Sequence, residues 1–346
     1  MLKELIGDFS KLEPKPILVA GDLMLDTYTI GTAERISPEA PVAVIRVKRE
    51  DAIPGGAGNT LLNLSALGAN PTLLGRVGQD AAGDTLLQTL RNARVSTDPI
   101  LRSKTHKTPV KNRIVAENQQ VVRVDHEEYS ILTTDEENEV ISKLPGLLSS
   151  TTIVAISDYA KGFLTPRLLK ALIEEANKQK LFIIADPKGT DFTKYNGVTL
   201  LKPNLSEAYA AAKASRQTPL DQVAEILLET YHIEYLMITR ASEGISLYSK
   251  KGGREDFPVK AKQVKDVTGA GDTVLAMLAF CLANKLNLST AIHFSNVAAG
   301  IAIERFGCAQ ITTKDLAMRL FELDARNKVF DKEHLSALRK ALDHTP

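Results

Sequence analysis

From residue 151 onward the chain repeats one pattern: a short apolar run, then a turn rich in polar, acidic or glycine residues, with helical stretches between most of the runs. Ile153–Ile156 ends in Ser157-Asp158-Tyr159-Ala160-Lys161-Gly162. Leu181–Ala185 ends in Asp186-Pro187-Lys188-Gly189-Thr190-Asp191. Leu200-Leu201 ends in Lys202-Pro203-Asn204-Leu205-Ser206-Glu207, and Tyr235–Thr239 ends in Arg240-Ala241-Ser242-Glu243-Gly244. Short apolar runs alternating with amphipathic helices make a mainly parallel sheet covered by helices on both faces. Ligands in such a sheet bind outside the carboxyl ends of the strands. The ionisable groups after these runs are therefore expected to share one site. An earlier run, Ile17–Ala20, closes in Gly21-Asp22 in the same way.

Composition narrows the class. The 346 residues are 44% hydrophobic and 25% charged, ordinary for a soluble globular chain, and long enough for one large α/β domain. A net charge of +1 gives no reason to expect a nucleic-acid partner. The two cysteines, Cys281 and Cys308, make no disulfide framework and point to a reducing compartment. The six histidines show no metal-ligand spacing. No apolar run reaches the ~18 residues of a membrane span, and the first fifteen residues carry no signal-peptide core. A cytoplasmic enzyme or binding protein, without a membrane partner, is expected.

Asp266-Val-Thr-Gly-Ala-Gly-Asp-Thr273 leads directly into the apolar helical run Val274–Leu282. Two glycines one residue apart at a helix start can aim backbone N–H groups at one point, where the helix dipole adds positive charge. Asp272 at that mouth reads as a base for a hydroxyl or as a plain helix cap. Pro54-Gly55-Gly56-Ala57-Gly58-Asn59 is a second glycine-rich entry into a helix, and Asp22 and Asp26 follow the first strand as two acidic groups. Residues 27–53 and 107–126 differ in character: short β patterns interrupt an α/β chain, as a small sheet covering a site would. Residues 135–148 read as an acidic, solvated helix, and 313–343 as charged, amphipathic helix. No G-x-x-x-x-G-K-[ST] phosphate loop is present.

The 266–273 octet resembles the second signature of the ribokinase, or PfkB, family of sugar kinases, and the stretch from Gly55 to Gly68 resembles its first. The resemblance implies a ribokinase-like three-layer α/β/α domain over residues 1–346, with a mainly parallel central sheet and a small β lid. It implies Asp272 as general base and the backbone N–H groups of Gly269, Ala270 and Gly271 as the anion hole. Asp22, Asp26, Gly55, Gly56, Asn59 and Asp186 are expected around the sugar. Asn204 and Glu207 match the family's N-x-x-E motif. With Ser206, Thr239, Arg240 and Gly244 they are expected around ATP, Glu207 acting on Mg²⁺ through water. Asp266 and Thr268 fall where family members hold a monovalent cation such as K⁺. The lid is expected to make a homodimer contact, and residues 316–346 form a helical extension.

Longer strings narrow the resemblance. Arg35–Val42, Glu117–Gln120, Ser157–Gly162, Asp186–Asp191 and Pro203–Glu207 resemble the family's heptose-7-phosphate kinase branch. That implies ATP-dependent phosphorylation of the anomeric hydroxyl of heptose 7-phosphate, giving the 1,7-bisphosphate for lipopolysaccharide core assembly. Such a substrate needs a cation cluster, for which Lys111, Arg113, Arg123, Lys161 and Lys188 are the candidates. The chain lacks the length and the H-x-G-H string of a fused nucleotidyltransferase, so a stand-alone kinase is expected. A kinase of another sugar, and an inactive sugar- or nucleotide-binding regulator, are the rival readings.

Overall fold

The computed structural model describes residues 2–117, 119–259, 264–324 and 332–343. Asn118 of the Glu117–Gln120 string, and residues 325–331 and 344–346 of the C-terminal extension, lie outside them. In chain order the described strands are β1 (Pro16–Gly21), β2 (Leu23–Ile36), β3 (Ala43–Gly56), β4 (Asn70–Leu74), β5 (Arg76–Gly78), β6 (Leu101–Ser103) and β7 (Val110–Ala116). They continue as β8 (Gln119–His126), β9 (Ile153–Ser157), β10 (Phe182–Asp186), β11 (Leu200–Leu201), β12 (Tyr235–Thr239), β13 (Ile245–Ser249) and β14 (Arg254–Phe257). The helices are α1 (Leu2–Ser10), α2 (Ala57–Ala66), α3 (Ala81–Asn92), α4 (Thr134–Ser149), α5 (Pro166–Lys178) and α6 (Leu205–Ala211). After them come α7 (Leu220–Thr230), α8 (Ala270–Ala283), α9 (Leu288–Ala302), α10 (Thr313–Asp324) and α11 (Lys332–Asp343).

The central sheet has eight strands in the order β14-β13-β12-β11-β10-β9-β1-β4. From β4 to β12 every pairing is parallel. That puts the carboxyl ends of β1, β9, β10, β11 and β12 on one edge, as the repeated turns required. The strands are buried on both faces: along β1, Ile17 and Val19 join one core, Leu18 and Ala20 the other. The first core takes α1, α2, α3, α8, α9, α10 and α11; the second takes α4, α5, α6 and α7. The antiparallel edge β12-β13-β14 was not legible in the run pattern. Gly244, at φ +90°, makes the return possible, and Arg240 N–H donates to Gly244 O at 2.7 Å.

Helix α8 is the centre of the first layer. Its side chains from Asp272 through Cys281 are buried, which suits a run that is apolar all round. Helix α4 corrects the expectation of a solvated helix. Val140, Leu144 and Leu148, spaced by four, are buried in the second core; Glu137 on the same side is buried too and pairs with Arg167 at 2.7 Å. Its start is a capping box between Thr133 and Glu136.

The lid is a four-stranded sheet in the order β3-β2-β7-β8. It reaches further into the body than 27–53 and 107–126 suggested, because pairing continues inward to Leu23 with Gly56. β2 starts one residue after Asp22, and β3 runs straight into α2. Asp26 is therefore a lid residue. β5 and β6 form a separate two-stranded sheet.

Candidate active site

Asp272 stands in the first turn of α8 and is 3% exposed. The cap position belongs to Gly269, so the plain-cap reading of Asp272 does not hold. Gly269 has φ +76°, a conformation disfavoured by side chains, and a Cβ there would lie 2.6 Å from Asn59 Nδ2. That close approach lets Asn59 Nδ2 donate to Asp272 Oδ2 at 2.8 Å. Tyr159 OH donates to Asp272 Oδ1 at 2.7 Å, and Thr60 Oγ1 lies 3.5 Å from the same oxygen. Burial pushes the Asp272 carboxyl up to about 6; the donors from Asn59 and Tyr159 pull it down, Asp186 raises it and Lys202 lowers it. The Tyr159 hydroxyl, raised well above its ordinary value by burial and then by Asp272, stays protonated as a donor.

The glycines of the octet serve different ends. Gly271 opens room toward β10 and β11: a Cβ on it would sit 3.9 Å from both Asp186 Oδ2 and Lys202 Nζ. Those two groups pair at 2.7 Å, with Lys202 buried. Ala270 N–H donates to Val267 O at 3.3 Å, so of the three amides expected to face an anion this one is already engaged. Cys308 lies behind the turn, its Sγ 3.3 Å from the same imagined Cβ of Gly269, and burial pushes its thiol up to about 12. It is packing, not a nucleophile.

Asp22 is held by backbone amides of the loop after β9. Its Oδ2 accepts Tyr159 N–H and Lys161 N–H, each at 3.0 Å, and its Oδ1 accepts Phe163 N–H at 3.2 Å. A carboxylate one residue past β1 thus ties down the loop after β9, which carries Tyr159 and Lys161. Asn59 is also turned inward, to Asp272. Asp26 accepts from Arg113 at 2.5 Å, and its other oxygen lies against the bare backbone of Gly55. At Gly56, with φ +60°, a Cβ would be 2.7 Å from Asp22 O.

On the lid, the register sets Arg113 directly opposite Arg123 and Lys111 opposite Asp125. Arg123 binds Asp125 through two nitrogens, at 2.8 and 2.9 Å. Asp125 is held below the usual carboxylate range by that bond first, with Lys111 and Lys161 adding to it. Lys161 pairs with Glu127 at 2.6 Å. Four of the five expected cations therefore gather on or beside the lid. Lys188 is elsewhere: its ammonium pairs with Glu207 Oε1 at 2.8 Å, and its N–H donates to Tyr195 OH.

Across the edge, Asn204 and Glu207 form a reciprocal capping box at the start of α6, at 2.9 and 3.0 Å. The capping reading of this motif is correct, and it leaves Glu207 Oε1 facing Lys188. Ser206 accepts from Arg216. Thr239 bridges to Asn204 in parallel fashion, and Arg240 spans Glu243 and Asp256. Asp266 accepts Thr268 N–H and Oγ1–H on one oxygen and Gly307 N–H on the other. Among the described residues no group of three or more His, Cys, Asp and Glu could hold a metal by itself. No described helix is long and apolar enough to cross a membrane.

Sequence reasoning missed Tyr159 and Lys202. Each stood in plain view at a strand end. Tyr159 joins a half-buried ring to a polar tip, and Lys202 puts a charge directly after the two buried leucines that make up β11.

The arrangement has known relatives. The family described as pfkB family carbohydrate kinase matches residues 15–315. The bifunctional protein HldE of Trichlorobacter lovleyi is 41% identical over 334 residues, covering 95% of this chain and 68% of that protein. The HldE of Campylobacter jejuni (strain RM1221) is 41% identical over 337 residues, covering 96% and 70%. Among solved structures, the phosphofructokinase-2 from Escherichia coli in complex with potassium superposes with a TM-score of 0.74 at 19% identity, covering 90% of this chain and 99% of that one. The ribokinase of Arabidopsis thaliana complexed with ribose and ATP gives 0.69 at 18%, covering 89% and 99%.

Proposed function

The chain belongs to the pfkB family of carbohydrate kinases and is an ATP-dependent sugar kinase; on that premise we propose that it phosphorylates the anomeric hydroxyl of D-glycero-D-manno-heptose 7-phosphate. The product would be heptose 1,7-bisphosphate, for lipopolysaccharide core assembly.

The observation that carries this reading is the lid register. Arg113 stands directly opposite Arg123, with Lys111 two residues away on the same face. Like charges directly opposite destabilise a sheet. Asp26, Asp125 and Glu127 offset them only in part. An acceptor that arrives with its own phosphate completes the balance, and Arg forks suit it. A neutral sugar would bring no charge to meet the excess of cations over Asp26, Asp125 and Glu127.

Asp272 accepts the proton of the anomeric hydroxyl. Burial holds its carboxyl near neutrality, where a base is both ionised and proton-seeking. Asn59 and Tyr159 hold it in place. The Gly269 and Gly271 amides and the dipole of α8 face the transferred phosphoryl, while the Ala270 N–H stays with Val267 O. Asn204, Ser206, Glu207, Thr239, Arg240 and Gly244 line the nucleotide side. The hard oxygens of Glu207 and Asn204 fit Mg²⁺ held largely through water, the usual way for a nucleotide's magnesium. When bound, Mg²⁺ neutralises the β- and γ-phosphate charge. Asp266 and Thr268 form the turn that would hold K⁺, and the carboxylate already fixes that turn to Gly307.

The test is ADP release with D-glycero-D-manno-heptose 7-phosphate beside ribose, fructose and fructose 6-phosphate. Turnover confined to the heptose phosphate supports the reading. Turnover with a neutral sugar alone would remove the phosphate subsite and leave Asp272 in its role.

A further inference from the structure

We propose that Lys202 is a catalytic residue of the phosphoryl transfer, its ammonium leaving Asp186 when the nucleotide binds and meeting the transferred phosphoryl at the start of α8. This inference rests on the kinase reading above.

Three observations meet at this side chain. First, Lys202 is 2% exposed and directly follows β11, at the edge where the carboxyl ends of the parallel strands gather. A fully buried lysine is rare, and a buried ion pair is often no better for stability than two apolar residues of the same volume. Second, the pair with Asp186 stands beside Gly271, one of the two glycines of the octet: an imagined Cβ there would lie 3.9 Å from both Lys202 Nζ and Asp186 Oδ2, the distance of ordinary contact. A methyl group at 271 would fill the space that a phosphoryl oxygen needs. Third, Asp186 and Lys202 both act on the Asp272 carboxyl, the one raising it and the other lowering it, so the pair and the base share one electrostatic neighbourhood.

The free site is thereby electrically quiet. Asp186 cancels the ammonium, and the long lysine stem can turn from one anion to another without moving backbone. In the reaction, the sugar oxygen forms a bond to the γ-phosphorus as the bond from that phosphorus to the β–γ bridging oxygen breaks. The electron pair leaves with ADP, and the sugar proton passes to Asp272. Negative charge on the moving phosphoryl is largest in mid-transfer, and a cation fixed there lowers the barrier more than it tightens the ground state.

The experiment compares wild type with Lys202→Met, Lys202→Arg and the double variant Lys202→Met/Asp186→Asn. The readouts are kcat and KM for both substrates and the affinities for AMP-PNP and ADP by calorimetry. Lys202→Met is expected to lose roughly 10²–10³-fold in kcat, as for removal of one group facing a developing anion, with each KM within a few-fold. It should also lose the preference for AMP-PNP over ADP, with ADP affinity unchanged. Lys202→Arg should recover part of both losses. If Lys202→Met leaves Asp186 stranded and fails to fold, the double variant carries no stranded charge, and the AMP-PNP-over-ADP preference is read there. Near wild-type turnover in Lys202→Met overturns the proposal and leaves the kinase reading intact. So does an equal loss of affinity for the two nucleotides in either variant. A wild-type protein that binds no ATP and turns over no sugar phosphate overturns both together.

Discussion

Tyr159 OH donates to Asp272 Oδ1 at 2.7 Å across 113 residues of sequence. The bond stabilises the ionised carboxylate, and the carboxylate titrates at about 6. Removing the donor in Tyr159→Phe must therefore raise that value. The acid limb of kcat/KM should move upward by roughly one pH unit, since a hydrogen bond to a charged group contributes about 1.5 kcal/mol and one unit is about 1.4. A pH–rate profile from 5 to 9 reads this directly. At pH 9 the variant should recover most of the wild-type rate. A uniform loss at every pH would mean that Tyr159 serves packing alone.

Asp272→Asn should lower kcat by about 10²–10⁴-fold, the usual worth of a general base, with ATP affinity nearly unchanged. The same substitution has a stability consequence of opposite sign. Burial raises the folded-state value from 3.8 to about 6, so the folded chain holds a proton that the unfolded chain has lost. Its contribution to stability is present below 3.8 and is lost as pH rises through about 6. At pH 7.5 the wild type carries that loss, up to about 3 kcal/mol, and Asn does not. Thermal melts at pH 7.5 should show the inactive variant as the more stable protein, and at pH 4 the gap should close.

Gly269→Ala should damage activity and stability together. The strain of φ +76° costs about 1–2 kcal/mol, and the new Cβ pushes on Asn59, which holds the base. Gly252→Ala is the control, because Gly252 has φ +92° and open space around an added Cβ. Both variants should melt at lower temperature, and only Gly269→Ala should lose kcat. Equal kcat in the two would detach Gly269 from the site.

Lys111→Ala and Lys161→Ala should each raise KM for the sugar phosphate about tenfold, a typical value for one charge-assisted contact, with KM for ATP within twofold. Initial-rate measurements at varied substrate separate the two. A parallel rise in both KM values would place the lysine outside the phosphate subsite.

The side of the lid away from Arg113 and Arg123 exposes Val122, Val124, Val47 and Ile36, the last at 64%. We read this face as the contact with a second copy. Val122→Glu should convert a dimer to a monomer by light scattering, without loss of fold by circular dichroism. A monomeric wild type would remove this reading.

What could be read from the residues followed from local chemistry. Apolar runs ending in polar turns forced a parallel sheet with one active edge, and the octet before α8 marked its centre. What could not be read depended on distance. Asp22 looks like a sugar ligand because it follows a strand; its partners are backbone amides of residues 159–163, which no local pattern reveals. Lys188 looked like one of a set of cations until the fold set it against Glu207. Lys202 was passed over because a charge at a strand end is ordinary until the opposite turn is known to be glycine.

β3 ends at Gly56 and α2 begins at Ala57, so the lid and the amide of Asn59 belong to one uninterrupted piece of chain. That piece acts as a lever. Its outer arm is the cover of the cleft, and its inner end grips the base. Exchanging lids between kinases to alter their choice of sugar is thus never a change of wrapping alone: a graft must be joined outside Pro54–Asn59, or it retunes the chemistry along with the fit.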